Sequence, residues 1–260
     1  MRKPTVTIFL ILAFCLILSS CSRYFEGYPT PQAEQEDVES SLSAKSKIQY
    51  IINNKDLYPD RLIESLKHNP ELVDFAFDYP EKKGTYNNDI DLSKRYTKGQ
   101  IPLFIQWEKD WGYASYGDGV IGLDGCGPTS LSMVYIGLTG DLSYNPKALA
   151  AFSETNGYLD TKNDITLWTL MSEGAKVLGL ESKELPLDEN IMIRELSNGH
   201  PIICSVGPGN FTTTGHFIVV YDYVDGHFLI NDPNSLARSQ QEWDYSEIES
   251  EIKNLWAFSK

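Results

Sequence analysis

The stretch D-G-C-G-P-T-S-L-S-M-V, Asp124 to Val134, sets one cysteine between two glycines, ahead of a proline and an apolar run. Gly125 permits a tight turn and Pro128 suits a first helical turn, so a helix is expected to begin at Cys126. Leu131, Val134, Tyr135 and Leu138 follow at helical spacing. At a helix start, free N–H groups and the macrodipole favour a thiolate. Three readings of Cys126 are open: a nucleophile, half of a disulfide, or a small buried side chain.

The compartment bears on that choice, because disulfides persist where the surroundings oxidise. Arg2 and Lys3 precede a thirteen-residue apolar run, Val6 to Leu18, which is short for a membrane span and shaped like a signal peptide. The next residues, Leu18-Ser19-Ser20-Cys21, resemble the bacterial lipobox. That resemblance implies cleavage before Cys21, a diacylglyceryl group with chains such as palmitate on its thiol, and a lipid anchor on the extracytoplasmic face of a bacterial membrane. Residues 1–20 then form the signal. Residues 21–45, mixing Pro, Ser, Gln and acid with few aliphatics, read as a flexible tether. Losing Arg2 and Lys3 takes the formal charge from −14 to −16, a poor match for nucleic acid or for anionic headgroups. Cys15 leaves with the signal and Cys21 is acylated, so Cys126 and Cys204 remain as thiols and one Cys126–Cys204 bridge is possible.

Residues 46–100 read as a helical extension, with apolar clusters at Ile48, Ile51 and Ile52, at Leu62, Ile63 and Leu66, and at Leu72, Val73 and Ala76. From 101 to 260 helices come first and strands later, an α+β arrangement. Helices are predicted over 126–138, 146–155, 165–179, 189–198 and 247–257, the last with Ser246 and Glu249 as a capping box. Strands are predicted at Pro201–Val206, Phe217–Val224 and His227–Asn231, the last two joined as a hairpin across Asp225-Gly226. A monomer of about 240 mature residues is expected, enough for one good core.

A catalytic thiol needs a base and donors for the oxyanion formed on attack. Of four histidines, His68 sits in a charged helical stretch, His200 precedes a proline and His227 follows a turn. His216 opens the apolar strand F-I-V-V-Y-D-Y-V after Gly215 and is the candidate base. A third group should fix its tautomer, and both Asn231 and Asp232 are placed for this. A two-residue turn at Asp225-Gly226 pairs residues whose numbers sum to 451 and turns Asn231 to the face of His216. A bulged three-residue loop shifts the sum to 450 and favours Asp232. Spacing leaves the two level. Trp107, Trp111, Tyr113 and Tyr116 read equally well as cleft lining or as core. A faint calcium-loop pattern at Asp160 and Asp164 fits a solvated turn better. Motifs for serine hydrolysis, zinc or nucleotide are missing, so no cofactor or metal is expected.

Four ordered segments, I-P-L-F-I-Q-W, G-C-G-P-T-S-L-S-M-V, G-H-F-I-V-V-Y-D-Y and L-I-N-D-P, resemble the papain-fold cysteine peptidases related to the bacteriocin-processing, double-glycine-leader peptidases. The helical extension and an expected C-terminal helix resemble those of lipoprotein members of that group. The resemblance implies a papain-like fold with Cys126 as nucleophile, His216 as base, Asp232 as the residue orienting it, and Gln106 as oxyanion donor. The Asn231 and Asp232 tie is thereby resolved toward Asp232 and the bulged register. Gln106 stands twenty positions before Cys126, a longer gap than in the processing peptidases, and W-G-Y-A-S-Y-G-D-G-V-I-G fills much of it. The implied activity is peptide-bond hydrolysis on a peptide or protein substrate. Peptidyl or acyl transfer by the same thiol and a non-catalytic peptide-binding lipoprotein are the alternatives.

Overall fold

Prolines punctuate the first helices. In the computed structural model, which describes residues 42–260, α1 (Ala44–Asn53) is followed by α2 (Asp60–His68), which opens directly after Pro59. Asn69 caps a 3-10 turn, Pro70–Leu72, its Oδ1 accepting from Glu71 N at 3.1 Å, and the turn runs into α3 (Val73–Lys82). Leu62, Leu66, Leu72, Phe75 and Tyr79 form one buried cluster with Tyr113 and Val120, Phe75 stacking on Tyr113 at 4.6 Å. The expected signal, Cys21 and most of the expected tether lie outside the described residues.

A two-stranded hairpin, β1 (Ser115–Tyr116) and β2 (Gly119–Val120), leads into a single turn, α4 (Ile121–Asp124), and then α5 (Cys126–Thr139). Gly140, at φ 74°, stops α5 in the left-handed conformation that only glycine adopts without steric cost. Next come α6 (Pro146–Thr155), capped by Asn145, and a second small hairpin, β3 (Leu159–Asp160) with β4 (Ile165–Thr166). The remaining elements are β5 (Glu181–Glu184), α7 (Glu189–Ser197), β6 (Ile202–Val206), β7 (His216–Val224), β8 (His227–Asn231), α8 (Leu236–Ser239), β9 (Glu242–Trp243), α9 (Tyr245–Ile248) and β10 (Ile252–Ser259). Six strands form an antiparallel sheet in the order β5-β10-β6-β7-β8-β9. Buried residues of α5 share a core with one sheet face through Ile203, Phe217, Val219, Trp256 and Phe258. Met192 and Leu196 of α7 pack on the other face with Ile202, Ile218 and Val220. The α+β expectation holds, with the cysteine helix lying against a late antiparallel sheet.

Two expected helices are corrected. Residues 247–257 do not form one: α9 ends at Ile248, its capping box is Asp244 with Glu247 rather than Ser246 with Glu249, and the chain then enters β10. Leu255, Trp256, Ala257 and Phe258 are all buried, with Trp256 and Phe258 in one core and Leu255 and Ala257 in the other. A strand apolar on both faces reads as a continuous run, and its first residues happened to match a helical stripe. The helix expected over 165–179 is also divided. Ile165–Thr166 pairs with Leu159–Asp160, and helical structure starts only later, as a π-helical turn at Leu170–Gly174 followed by Ala175–Val177. Thr166 is drawn into the hairpin because its hydroxyl bonds Tyr116 Oη at 2.9 Å and its methyl packs where a Gly127 side chain would stand. Trp256, 1% exposed and edge-on to Trp168, anchors β10. Trp256→Ala is expected to cost about 3–5 kcal/mol of stability, read as a lower urea midpoint at unchanged slope.

Candidate active site

Cys126 is the first residue of α5, so its N–H has no acceptor within the helix. Its side chain is partly exposed in a cleft of about 410 Å³, which it lines together with Gln106, His216 and Arg238. Cys204, its only companion thiol among the described residues, is fully buried in β6, and both cysteines are free. The disulfide reading is therefore set aside. Burial pushes the Cys204 thiol far up, which leaves it inert at neutral pH.

His216 opens β7 and is 7% exposed. Its Nε2 lies 2.7 Å from Asp232 Oδ1. Since a carboxylate only accepts, Nε2 carries the hydrogen and Nδ1 is left for the thiol. Burial alone would push the imidazolium pKa down. Asp232, and to a lesser degree Cys126, outweigh it and raise His216 to about 10. Asp232 is wholly buried, which favours its neutral form, yet His216 and Arg238 hold it below the usual carboxylate value.

Asp232 reaches the imidazole by a register that combines both sequence alternatives. The turn has two residues, Asp225 at φ 52° and Gly226 at φ 96°, and near it Val224 faces His227, a sum of 451. Between Asp222 and Val220 the register shifts, so that Val219 faces Asn231, a sum of 450. The bulge thus sits at Tyr221 and not at the turn. Beyond it Asn231 turns away from His216, and its Nδ2 donates to Pro102 O at 3.1 Å. That bond holds the run 101–106 beside β8, where Gln106 N also donates to Pro233 O at 2.6 Å.

Gln106 is 3% exposed, and its Nε2 donates to Gly122 O at 3.0 Å. One amide hydrogen is thereby used and the second is free. The long gap to Cys126 folds back on itself: Trp111 Nε1 donates to Ile105 O at 2.9 Å, and Gly122 N to Gly112 O at 2.8 Å. Gly122 has to be glycine, since a Cβ there would meet the Phe75 ring at 2.4 Å. Trp111, Tyr113 and Tyr116 are core residues, and Trp107 donates to Asn234 O at 3.2 Å. None of the four lines the cleft. His200 and His227 pair with Glu195 and Asp244. Among the described residues no group of three or more His, Cys, Asp or Glu side chains is arranged to hold a metal.

Several contributors were not foreseen. Arg61, Glu64 and His68 of α2 form one wall of the cleft, so the helical extension borders the cysteine. Arg61 makes a two-point ion pair with Asp124, two residues before Cys126. Beyond α2, Asn69 Nδ2 donates to Asn234 O at 2.5 Å, and Glu71 accepts from Ser235 Oγ and from Leu236 N at 2.9 Å. Arg238 Nε donates to Asp232 Oδ2 at 2.5 Å.

The chain belongs to the Peptidase_C39 like family, whose model matches residues 98–260. Among solved structures it is similar to the peptidase domain of Streptococcus ComA, described as a bifunctional ABC transporter involved in a quorum-sensing pathway. That likeness has 21% identity over 52% of this chain and 91% of the other, with a TM-score of 0.40. It is also similar to a chain described as a C39-like peptidase from Bacillus anthracis, with 16% identity over 62% and 96% and a TM-score of 0.41. No curated protein matches.

Proposed function

We propose that the protein is a cysteine peptidase that hydrolyses peptide or protein substrates on the extracytoplasmic face of a membrane, anchored through an acylated Cys21. What carries the peptidase reading is the buried bond of 2.7 Å between His216 and Asp232, in a cleft shared with a helix-start cysteine and Gln106. His216 Nδ1 takes the Cys126 proton and the sulfur attacks the scissile carbonyl carbon. The oxyanion is held by the free Gln106 amide hydrogen and by Cys126 N–H. The Nδ1 proton passes to the leaving amine as the C–N bond breaks, giving a thioester and the first product. Water, deprotonated by the same nitrogen, attacks the thioester and restores the thiol as the carboxylate product departs.

A peptidyl epoxide or vinyl sulfone tests this reading. One adduct is expected, mapped by mass spectrometry to Cys126, with Cys204 unmodified until the chain is unfolded. Equal labelling of both thiols in the folded protein would defeat the nucleophile assignment. The anchor has its own test in bacterial cells: Cys21→Ser is expected to release the protein from the membrane fraction and to abolish labelling by a palmitate analogue.

A further inference from the structure

We propose that Arg238 is a positioning residue for the Asp232–His216 pair, and that the helical extension fixes where it stands. This rests on the peptidase reading above, because it concerns the same thiol site.

Asp232 is gripped from both sides. His216 Nε2 and Asn234 N meet Oδ1, each at 2.7 Å, while Arg238 Nε meets Oδ2 at 2.5 Å. Its own N–H donates to Ser239 Oγ at 2.8 Å. A carboxylate with one oxygen on a guanidinium cannot rotate away from the imidazole without losing that bond. Arg238 itself is only 17% exposed, and its buried Nη2 has no partner among the described residues. Packing or a surface charge network would not leave a guanidinium so placed, whereas holding Asp232 does.

The segment that presents Arg238 does not stand alone. Only six positions separate it from Asp232, in the single turn α8, and the N-terminal N–H groups of α8 are met from the extension by Glu71. Asn69 grips the preceding Asn234 O. The charged groups around the pair are therefore His216 on β7, Cys126 on α5, Arg238 on α8 and Glu71 at the start of α8. Arg61, Glu64 and His68 on α2 face the open cleft. Of these, Arg238 is the only cation besides His216 bonded to Asp232.

The test uses the full chain and reads alkylation of Cys126 by iodoacetamide across the acid-to-neutral range, which needs no knowledge of the substrate. Arg238→Met keeps an apolar stem and drops the charge, and Arg238→Lys keeps a charge on a similar stem. The Met variant is expected to have its acid-side midpoint raised by about one unit, and so to alkylate about tenfold more slowly on the acid side, because Asp232 takes a proton sooner without its second cation. The Lys variant should recover most of both effects, which a packing role alone would not give. Near-UV circular dichroism checks the fold, and if Met does not fold, Arg238→Gln carries the same comparison. Wild-type behaviour of the uncharged variant, or equal damage in the charged and uncharged variants, overturns the proposal. An inert Cys126 in the unaltered protein would instead count against the peptidase reading itself.

Discussion

Cys126→Ala is expected to leave a diverse peptide library uncut, a loss on the order of 10⁴-fold or more against the unaltered protein. The thermal midpoint should barely move. Sγ is partly exposed and forms no disulfide, so its removal takes away chemistry and little packing. That separation makes the result decisive. In the proposed mechanism His216 takes its proton from the sulfur and Gln106 serves the oxyanion that the sulfur's attack creates, so neither can rescue turnover. A variant that cleaved as well as the unaltered protein would mean that some other group, or a contaminant, does the cutting. The library also supplies what sequence could not, the residues preferred on each side of the scissile bond.

Asp232→Ala should be costly in both stability and rate. It strands Arg238, a cation with 17% side-chain exposure, and takes the acceptor from His216, at 6% exposure. Breaking a buried pair in this way costs about 3–5 kcal/mol. Catalysis should fall about 10²- to 10⁴-fold, because the imidazole loses both its tautomer and its aim. The stability loss has a pH signature. His216 is raised from 6.5 to about 10, so its contribution is complete below 6.5 and disappears as pH rises through 10. Asp232 is lowered from 3.8, so its contribution is complete above 3.8 and is lost as pH falls through its depressed value. The gap between variant and parent should therefore be widest from about pH 4 to 6.5 and narrow toward pH 10. Denaturant melts at several pH values read this directly. A gap that widened above pH 8 would contradict the charge pairing described here.

What the sequence disclosed was mostly local. The start of α5, the starts of the helices expected at 146 and 189 and the Asp225-Gly226 hairpin are set by neighbouring residues, and each stands where the pattern placed it. The hidden parts depend on residues distant along the chain. Tyr221 looks like any strand residue, and nothing near it announces a bulge; yet that bulge decides whether Asn231 or Asp232 faces the imidazole. Arg238 carried no signal in the sequence, because its meaning comes from a carboxylate turned inward by that same bulge. The contacts of Arg61, Asn69 and Glu71 join residues more than sixty positions apart. The helix expected at 247–257 failed for the reverse reason. A two-sided sheet needed a strand there, and tertiary demand overrode a short-range stripe.

The placement of β10 bears on how the molecule is made. It lies between β5 and β6, yet it follows the hairpin that carries His216 and Asp232. As the chain leaves the ribosome, β6, β7 and β8 can pair early, but β6 then shows an unpaired edge with Cys204 and Ile203 along it until residues 252–259 arrive. Such an edge invites pairing with another chain. Helper proteins that shield nascent strands would accordingly matter most during the last moments of synthesis. Truncations that remove β10 should yield aggregates rather than a slower enzyme.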